Sequence, residues 1–172
     1  MTVFLVFLGA TAASFLVAVL VLRRRPRASA VLALRGGLAT LFLVTGTTHF
    51  VVLRDDLVAM VPPALPAPEL LVTVTGVLEL LGAVGLLVPA TAAWAAGGLA
   101  VLLVAMFPAN VHAASAGLTL GGDPATALLP RTLMQVAYLG AALAVVLATR
   151  RTAWRPGPAR GRTERDLQDA RR

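Results

Sequence analysis

Residues 69–88, ELLVTVTGVLELLGAVGLLV, decide what kind of protein this is. After the opening Glu69 the run carries a single charge, Glu79. The hydrocarbon core of a bilayer is about 30 Å thick. A helix rising about 1.5 Å per residue needs about 20 apolar residues to cross it. Four further stretches meet that requirement: Thr2–Leu22, Val31–Leu53, Ala92–Ala116 and Leu128–Thr149. Composition agrees, since 58% of the 172 residues are hydrophobic, 13% are charged, and the mean hydropathy is +0.85. Soluble domains carry about 25% charged residues. An ordinary soluble domain, a disordered chain and a disulfide scaffold are excluded. There is no cysteine, so this chain builds no disulfide, thiolate metal site or iron–sulfur cluster.

All 15 basic residues are Arg and the net charge is +7. Arg23, Arg24, Arg25 and Arg27 follow the first span, and eight more lie in 150–172. With the first cluster in the cytoplasm and five crossings, 13 Arg fall inside and two, Arg54 and Arg131, fall outside. That split follows the positive-inside rule. The expectation is a bacterial inner-membrane protein with its N-terminus outside and its C-terminus cytoplasmic. Thr2–Leu22 reads as a retained helix, because its basic residues follow the apolar run whereas a signal peptide has them before it. No aromatic platform accompanies the Arg clusters, so they read as anchors on anionic lipid and not as a nucleic-acid surface.

The parts are then an N-terminal membrane helix (1–22), a basic linker (23–30), a four-helix membrane domain (31–149) and an Arg-rich, disordered tail (150–172), with a short surface helix allowed at 163–172. Residues 54–68, RDDLVAMVPPALPAP, form the longest outer loop. Its prolines make a semi-rigid strap, apolar enough to lie on the membrane or over the mouth of the helices. The link 89–91 is so short that the helices on either side must be antiparallel neighbours. Residues 117–127, GLTLGGDPATA, read as a flexible outer link.

Polar groups inside spanning helices are costly and therefore informative. They are Arg35, His49, Glu79, Asn110, His112, Arg131 and Gln135. Glu79 lies roughly 15 Å below the start of its helix, near the midplane. A carboxyl group there must be neutral, paired or next to water. His49, Asn110, His112, Arg131 and Gln135 all fall in the outer part of their helices. Arg131, Gln135, Tyr138 and Ala142 share one stripe, as do Thr75, Glu79, Gly82 and Leu86. Asn110 and His112 point about 200° apart. Pro108 is placed to bend its helix and free a carbonyl. The functional reading gives Glu79 a proton-handling role and makes His49, Asn110, Arg131 and Gln135 ligand-binding. The structural reading makes the same groups helix-locking hydrogen bonds, with Arg131 paired to Glu79, Glu69 or an anionic head group, and Arg35 snorkelling to the inner interface. Two His at similar depth raise bis-His haem ligation, which no other signature supports. No cluster has metal-ligand spacing.

The blocks GTTHF (46–50), MVPPALPAP (60–68), TGVLELLGAVGLLVP (75–89), FPANVHAA (107–114) and the pair Arg131 and Gln135 occur in order. Together they make residues 31–149 resemble the DoxX family of small bacterial membrane proteins. The resemblance implies a four-helix membrane bundle, with Arg35, His49, Glu79, Asn110, Arg131 and Gln135 at the family's polar motif positions. It further implies membrane subunits of thiosulfate:quinone oxidoreductase and of thiol or oxidative-stress assemblies. The helix 1–22 and the tail depart from the family pattern. Without cysteine, this chain cannot run the dithiol exchange of related disulfide-forming four-helix proteins.

The combined expectation is an all-α membrane protein of five spanning helices, a DoxX-like four-helix bundle plus a peripheral first helix. Its polar outer-half pocket would hold a quinone or other small amphiphile, within a redox or stress-response system. If it catalyses, it does so as a quinone-linked oxidoreductase subunit with a soluble or membrane redox partner. The alternatives are a non-enzymatic scaffold or assembly factor, and a transporter of small solutes or lipids.

Overall fold

The computed structural model describes residues 8–14, 16, 26–51 and 53–153. Helix α1 spans Pro26–Thr48, α2 Arg54–Met60, α3 Pro68–Leu87, α4 Ala92–Ser115 and α5 Leu128–Ala153. Strands β1 (Thr119–Leu120) and β2 (Asp123–Pro124) pair antiparallel between α4 and α5. Among the described residues, four helices, α1, α3, α4 and α5, are long and apolar enough to cross a membrane, as a multi-pass membrane protein requires. The expected span Thr2–Leu22 lies mostly outside the described residues. Its residues 8–14 are helical, with Thr11 facing Gly37 and Ser14 facing Gly36. Arg23, Arg24 and Arg25 and the tail from Trp154 onward, with its allowed helix at 163–172, lie outside them too.

Helix α1 sits five residues earlier than the expected Val31–Leu53. Pro26 is its first described residue, and a proline with its fixed φ and missing N–H is tolerated in a helix's first turn. Residues 26–30 are therefore helix and not linker. At its other end the Thr48 hydroxyl donates to Thr45 O at 2.6 Å. That is the carbonyl the His49 N–H would use, and His49 N donates to Gly46 O instead, at 3.3 Å. Such side-chain competition loosens a helix. Helix α3 opens on Pro68 with Glu69 in its first turn, where a negative charge suits the helix dipole. Its final carbonyls are capped from the neighbouring helix. Arg35 Nε donates to Leu86 O at 2.7 Å and Arg35 NH2 to Leu87 O at 3.0 Å. Arg35 thus caps a helix C-terminus, where a cation is favoured.

Two segments expected as loops are structured. Residues 54–60 precede the first proline of the strap and form α2, with Asp55 and Asp56 in its first turn. The link 117–127 folds into the β1–β2 hairpin. Gly121 and Gly122 have φ of +62° and +86°, the left-handed pair that a two-residue hairpin turn demands. Gly121 N donates to Asp56 Oδ2 at 2.6 Å and ties the hairpin to α2.

Helix α1 packs on α3 and α5, and α4 packs on the same two, so the four long helices close into a ring. Residues 88–91 join α3 to α4 at one end of the ring, the link end. Leu38, Phe42, Ala83, Leu86, Leu99, Ala142 and Val145 fill that half as a continuous core. The strap 61–67 and α2 lie at the other end, with α2 touching α3, α4 and β1. Leu81, Trp94, Val101 and Leu129 are among the large apolar side chains exposed on the outside, which is compatible with contact with lipid.

Candidate functional site

At the strap end the ring opens into a cavity of about 520 Å³. Glu79, His49, Asn110, Arg131 and Gln135, from the end of α1 and from α3, α4 and α5, all line it. Met60, Val61, Pro62 and Leu65 of the strap region cover one side, joined by Leu57 of α2 and Leu120 of β1. The rest of the wall is largely apolar.

The first polar cluster joins α1 to α3. Gly46 and Gly76 let these helices approach. A Cβ at Gly76 would lie 2.6 Å from His49 Cβ, and one at Gly46 would lie 3.1 Å from Glu79 Cβ. Small residues allow such close approach in membrane helices. Glu79 and His49 are both buried. Thr45 Oγ1 donates to Glu79 Oε2 at 2.7 Å. His49 Nδ1 lies 2.8 Å from Val72 O. A carbonyl only accepts, so the imidazole carries its proton on Nδ1 there. The other ring nitrogen, Nε2, faces Glu79 Oε2 at 3.9 Å, too long for a direct hydrogen bond. Among the described residues, Glu79 Oε1 has no protein hydrogen-bond partner.

The second cluster joins α4 to α5. Arg131 NH1 donates to Asn110 Oδ1 at 2.7 Å, and Asn110 Nδ2 donates to Gln135 Oε1 at 3.1 Å. Gln135 Nε2 donates to Leu103 O at 2.5 Å. Leu103 O lies one residue before Val104 O, the carbonyl that Pro108 leaves without its usual donor. All donors in this chain run from Arg131 toward the helix backbone.

The two clusters share the cavity, but no direct hydrogen bond or ion pair joins them among the described residues. Arg131 pairs with neither Glu79 nor Glu69; its protein partner is Asn110. His112 does not line the cavity, although Asn110 does, as their angular separation requires. Haem ligation by His49 and His112 together therefore has no common site. Among the described residues, no group of His, Cys, Asp and Glu has metal-ligand geometry. Arg35 sits at the link end and takes no part.

Sequence reasoning missed Thr45 and Arg54. Thr45 lies one turn before His49 on the same face of α1, which was the available signal. Arg54 NH1 donates to His49 O at 3.3 Å and its NH2 to Thr73 Oγ1 at 3.1 Å, fixing the start of α2 beside the first cluster. Another missed feature is that Met60, Met106 and Met134, every methionine beyond Met1, line the cavity.

Residues 38–146 match a family model described as a domain of unknown function, DUF8561, over more than half of the chain. The chain belongs to the DUF8561 family. The DUF8561 region takes in every residue of both polar clusters and the whole strap, and it leaves out Arg35. No curated protein and no solved structure matches the chain.

Proposed function

We propose that this protein holds a small amphiphile in the strap-end cavity, as a DoxX-like membrane subunit of a redox or stress-response system. One observation carries the reading: five polar residues picked out along the chain converge on a single cavity with otherwise apolar walls. Ligand sites have this character, at about 300–1,000 Å³ with few polar groups. The proposed setting is the bacterial inner membrane, with five crossings, the strap end outside and the C-terminus cytoplasmic. The distribution of Arg supports it.

In this reading Glu79 exchanges a proton. Thr45 steadies its Oε2, and His49, its Nδ1 proton committed to Val72 O, offers only Nε2 toward the carboxyl group. Asn110 and Gln135 hold Arg131 in the wall, where it orients the head of the ligand. A quinone fits this chemistry, because its carbonyl oxygens accept hydrogen bonds and take up protons on reduction. A soluble or membrane redox partner would supply the electrons.

The test is solvent extraction and mass spectrometry of protein purified in a non-ionic detergent. Wild type should release an amphiphile in near-stoichiometric amount. Glu79→Leu should lose it, while Glu79→Gln retains it, since Gln preserves hydrogen bonding but not proton exchange. Folded wild-type protein that binds neither extracted nor added amphiphile defeats the reading. A second reading, a scaffold, is favoured by the internally closed chain from Arg131 to Leu103 O, which locks α4 to α5. It requires a stable protein complex that Glu79→Gln leaves unchanged.

A further inference from the structure

Among the described residues, Arg131 is the one guanidinium in the cavity wall. It is half-buried, at the start of α5, and its hydrogen bond goes from NH1 to the neutral amide of Asn110. Among the described residues no carboxylate lies within ion-pair distance of it, and neither its Nε nor its NH2 has a protein acceptor. A charge taken partly out of water without a counter-charge is unfavourable. The unused N–H groups are donors only, and a guanidinium presents them as a planar fork that matches the two oxygens of an acid.

The neighbours strengthen this polarity. The amide oxygens nearby are already engaged, Asn110 Oδ1 by Arg131 NH1 and Gln135 Oε1 by Asn110 Nδ2, and neither accepts from Arg131 Nε or NH2. The remaining wall suits a flexible tail. Met60, Met106 and Met134 come from three different elements, and unbranched thioethers adapt to irregular apolar shapes.

We propose that the ligand is a single-chain amphiphile with an acidic head, carboxylate or phosphate, seated on Arg131, with its tail along the methionine-lined wall. This rests on the cavity being a ligand site and narrows the ligand from an amphiphile to an acid. The free acid and a phosphate monoester share the recognition chemistry, and the test separates them.

Equilibrium binding in dodecyl maltoside should compare dodecanoate, dodecyl phosphate, dodecanol and a short-chain neutral quinone on the full-length chain. Wild type should bind at least one of the two acids at least tenfold more tightly than dodecanol, and the stronger of the two identifies the head group. Arg131→Gln should erase that preference without abolishing dodecanol binding. Asn110→Asp keeps the guanidinium but places a carboxylate on it, and should weaken acid binding by a similar factor. This second variant serves if Arg131→Gln fails to fold by size exclusion and circular dichroism. Equal binding of acid and alcohol, or an acid preference that survives Asn110→Asp, overturns the inference. Tight quinone binding with no acid preference also overturns it, yet leaves the cavity as a ligand site. Failure of all four probes overturns both.

Discussion

The two halves of the ring are built from the same four helices and are packed in opposite ways. At the link end, alanines such as Ala83, Ala96 and Ala142 interleave with Leu38, Phe42, Leu86 and Leu99, and these side chains are almost completely enclosed. At the strap end the same helices present Thr45, Thr48, His49, Glu79, Asn110, Arg131 and Gln135 around a cavity. A ring of four helices therefore does not dictate a hollow. The side chains set it: the link end packs the helices together, and the strap end is left hollow with polar groups in its wall.

The largest effect should come from breaking the link end. Phe42 is 2% exposed. Phe42→Ala should cost about 3 kcal/mol, the low end for a buried aromatic, because lipid replaces water as the alternative environment. Met106→Ala, at the cavity wall, should cost about 1 kcal/mol, since the side chain is only partly buried. Denaturant titration in mixed micelles reads both. Equal costs would break the distinction between a packed half and a hollow half.

That distinction was partly legible in the sequence. Apolar runs located α3 and α4 almost to the residue, because a span is set by length and hydropathy alone. Glu79, His49, Asn110, Arg131 and Gln135 stood out as candidates, because a polar group in a spanning helix contrasts with its neighbours, and all five line the cavity. Their partners were not. Thr45 looks like any helical threonine until α3 brings Glu79 beside it, and Arg54 looks like a loop charge until α2 folds. The end of α1 was placed five residues late because Val51, Val52 and Leu53 continue the apolar run, while the Thr48 hydroxyl disturbs the hydrogen-bond ladder. The hairpin was hidden for another reason. Gly121 and Gly122 announce a turn, but only the Asp56 contact shows that it is held against α2.

An intermediate effect is expected where α1 and α3 come closest beside the first cluster. Gly76 supports His49, and an added Cβ would lie 2.6 Å from His49 Cβ and 2.9 Å from Phe50 Cε2. Gly76→Ala should therefore destabilise the protein by about 2 kcal/mol and move His49 away from Glu79, as overpacking does. Gly98 has no heavy atom within 4 Å of an added Cβ. Gly98→Ala should be neutral or stabilising by up to about 1 kcal/mol, from helix propensity alone. Thermal midpoints in detergent, with His49 ring resonances followed by NMR, read the pair. If both substitutions behave alike, close approach at Gly76 is not what positions the first cluster.

The smallest effect should come from the strap, and it has the opposite sign. Ala67 has φ of +52° and ψ of +58°, and among the described residues it is the one non-glycine residue with positive φ. It lies between Pro66 and Pro68, which fix the chain on both sides, and it forms the boundary of α3. The left-handed conformation costs an L-residue about 1–2 kcal/mol. Glycine removes that cost, but its freer unfolded chain returns about 0.4–1 kcal/mol. Ala67→Gly should thus stabilise the protein by about 0.5 kcal/mol, a rise of about 1–2 °C in thermal midpoint for a chain of this size. Strain of this kind gathers where a segment is held for function. Here it sits at the root of the strap that covers the cavity, while the link end has none among its described residues. If the strain serves to hold the strap over the ligand, Ala67→Gly should raise the midpoint and speed ligand release together. A higher midpoint with unchanged release would make the strain a by-product of joining α2 to α3 through residues 61–67. A lower midpoint would mean that the left-handed turn is not strained at all.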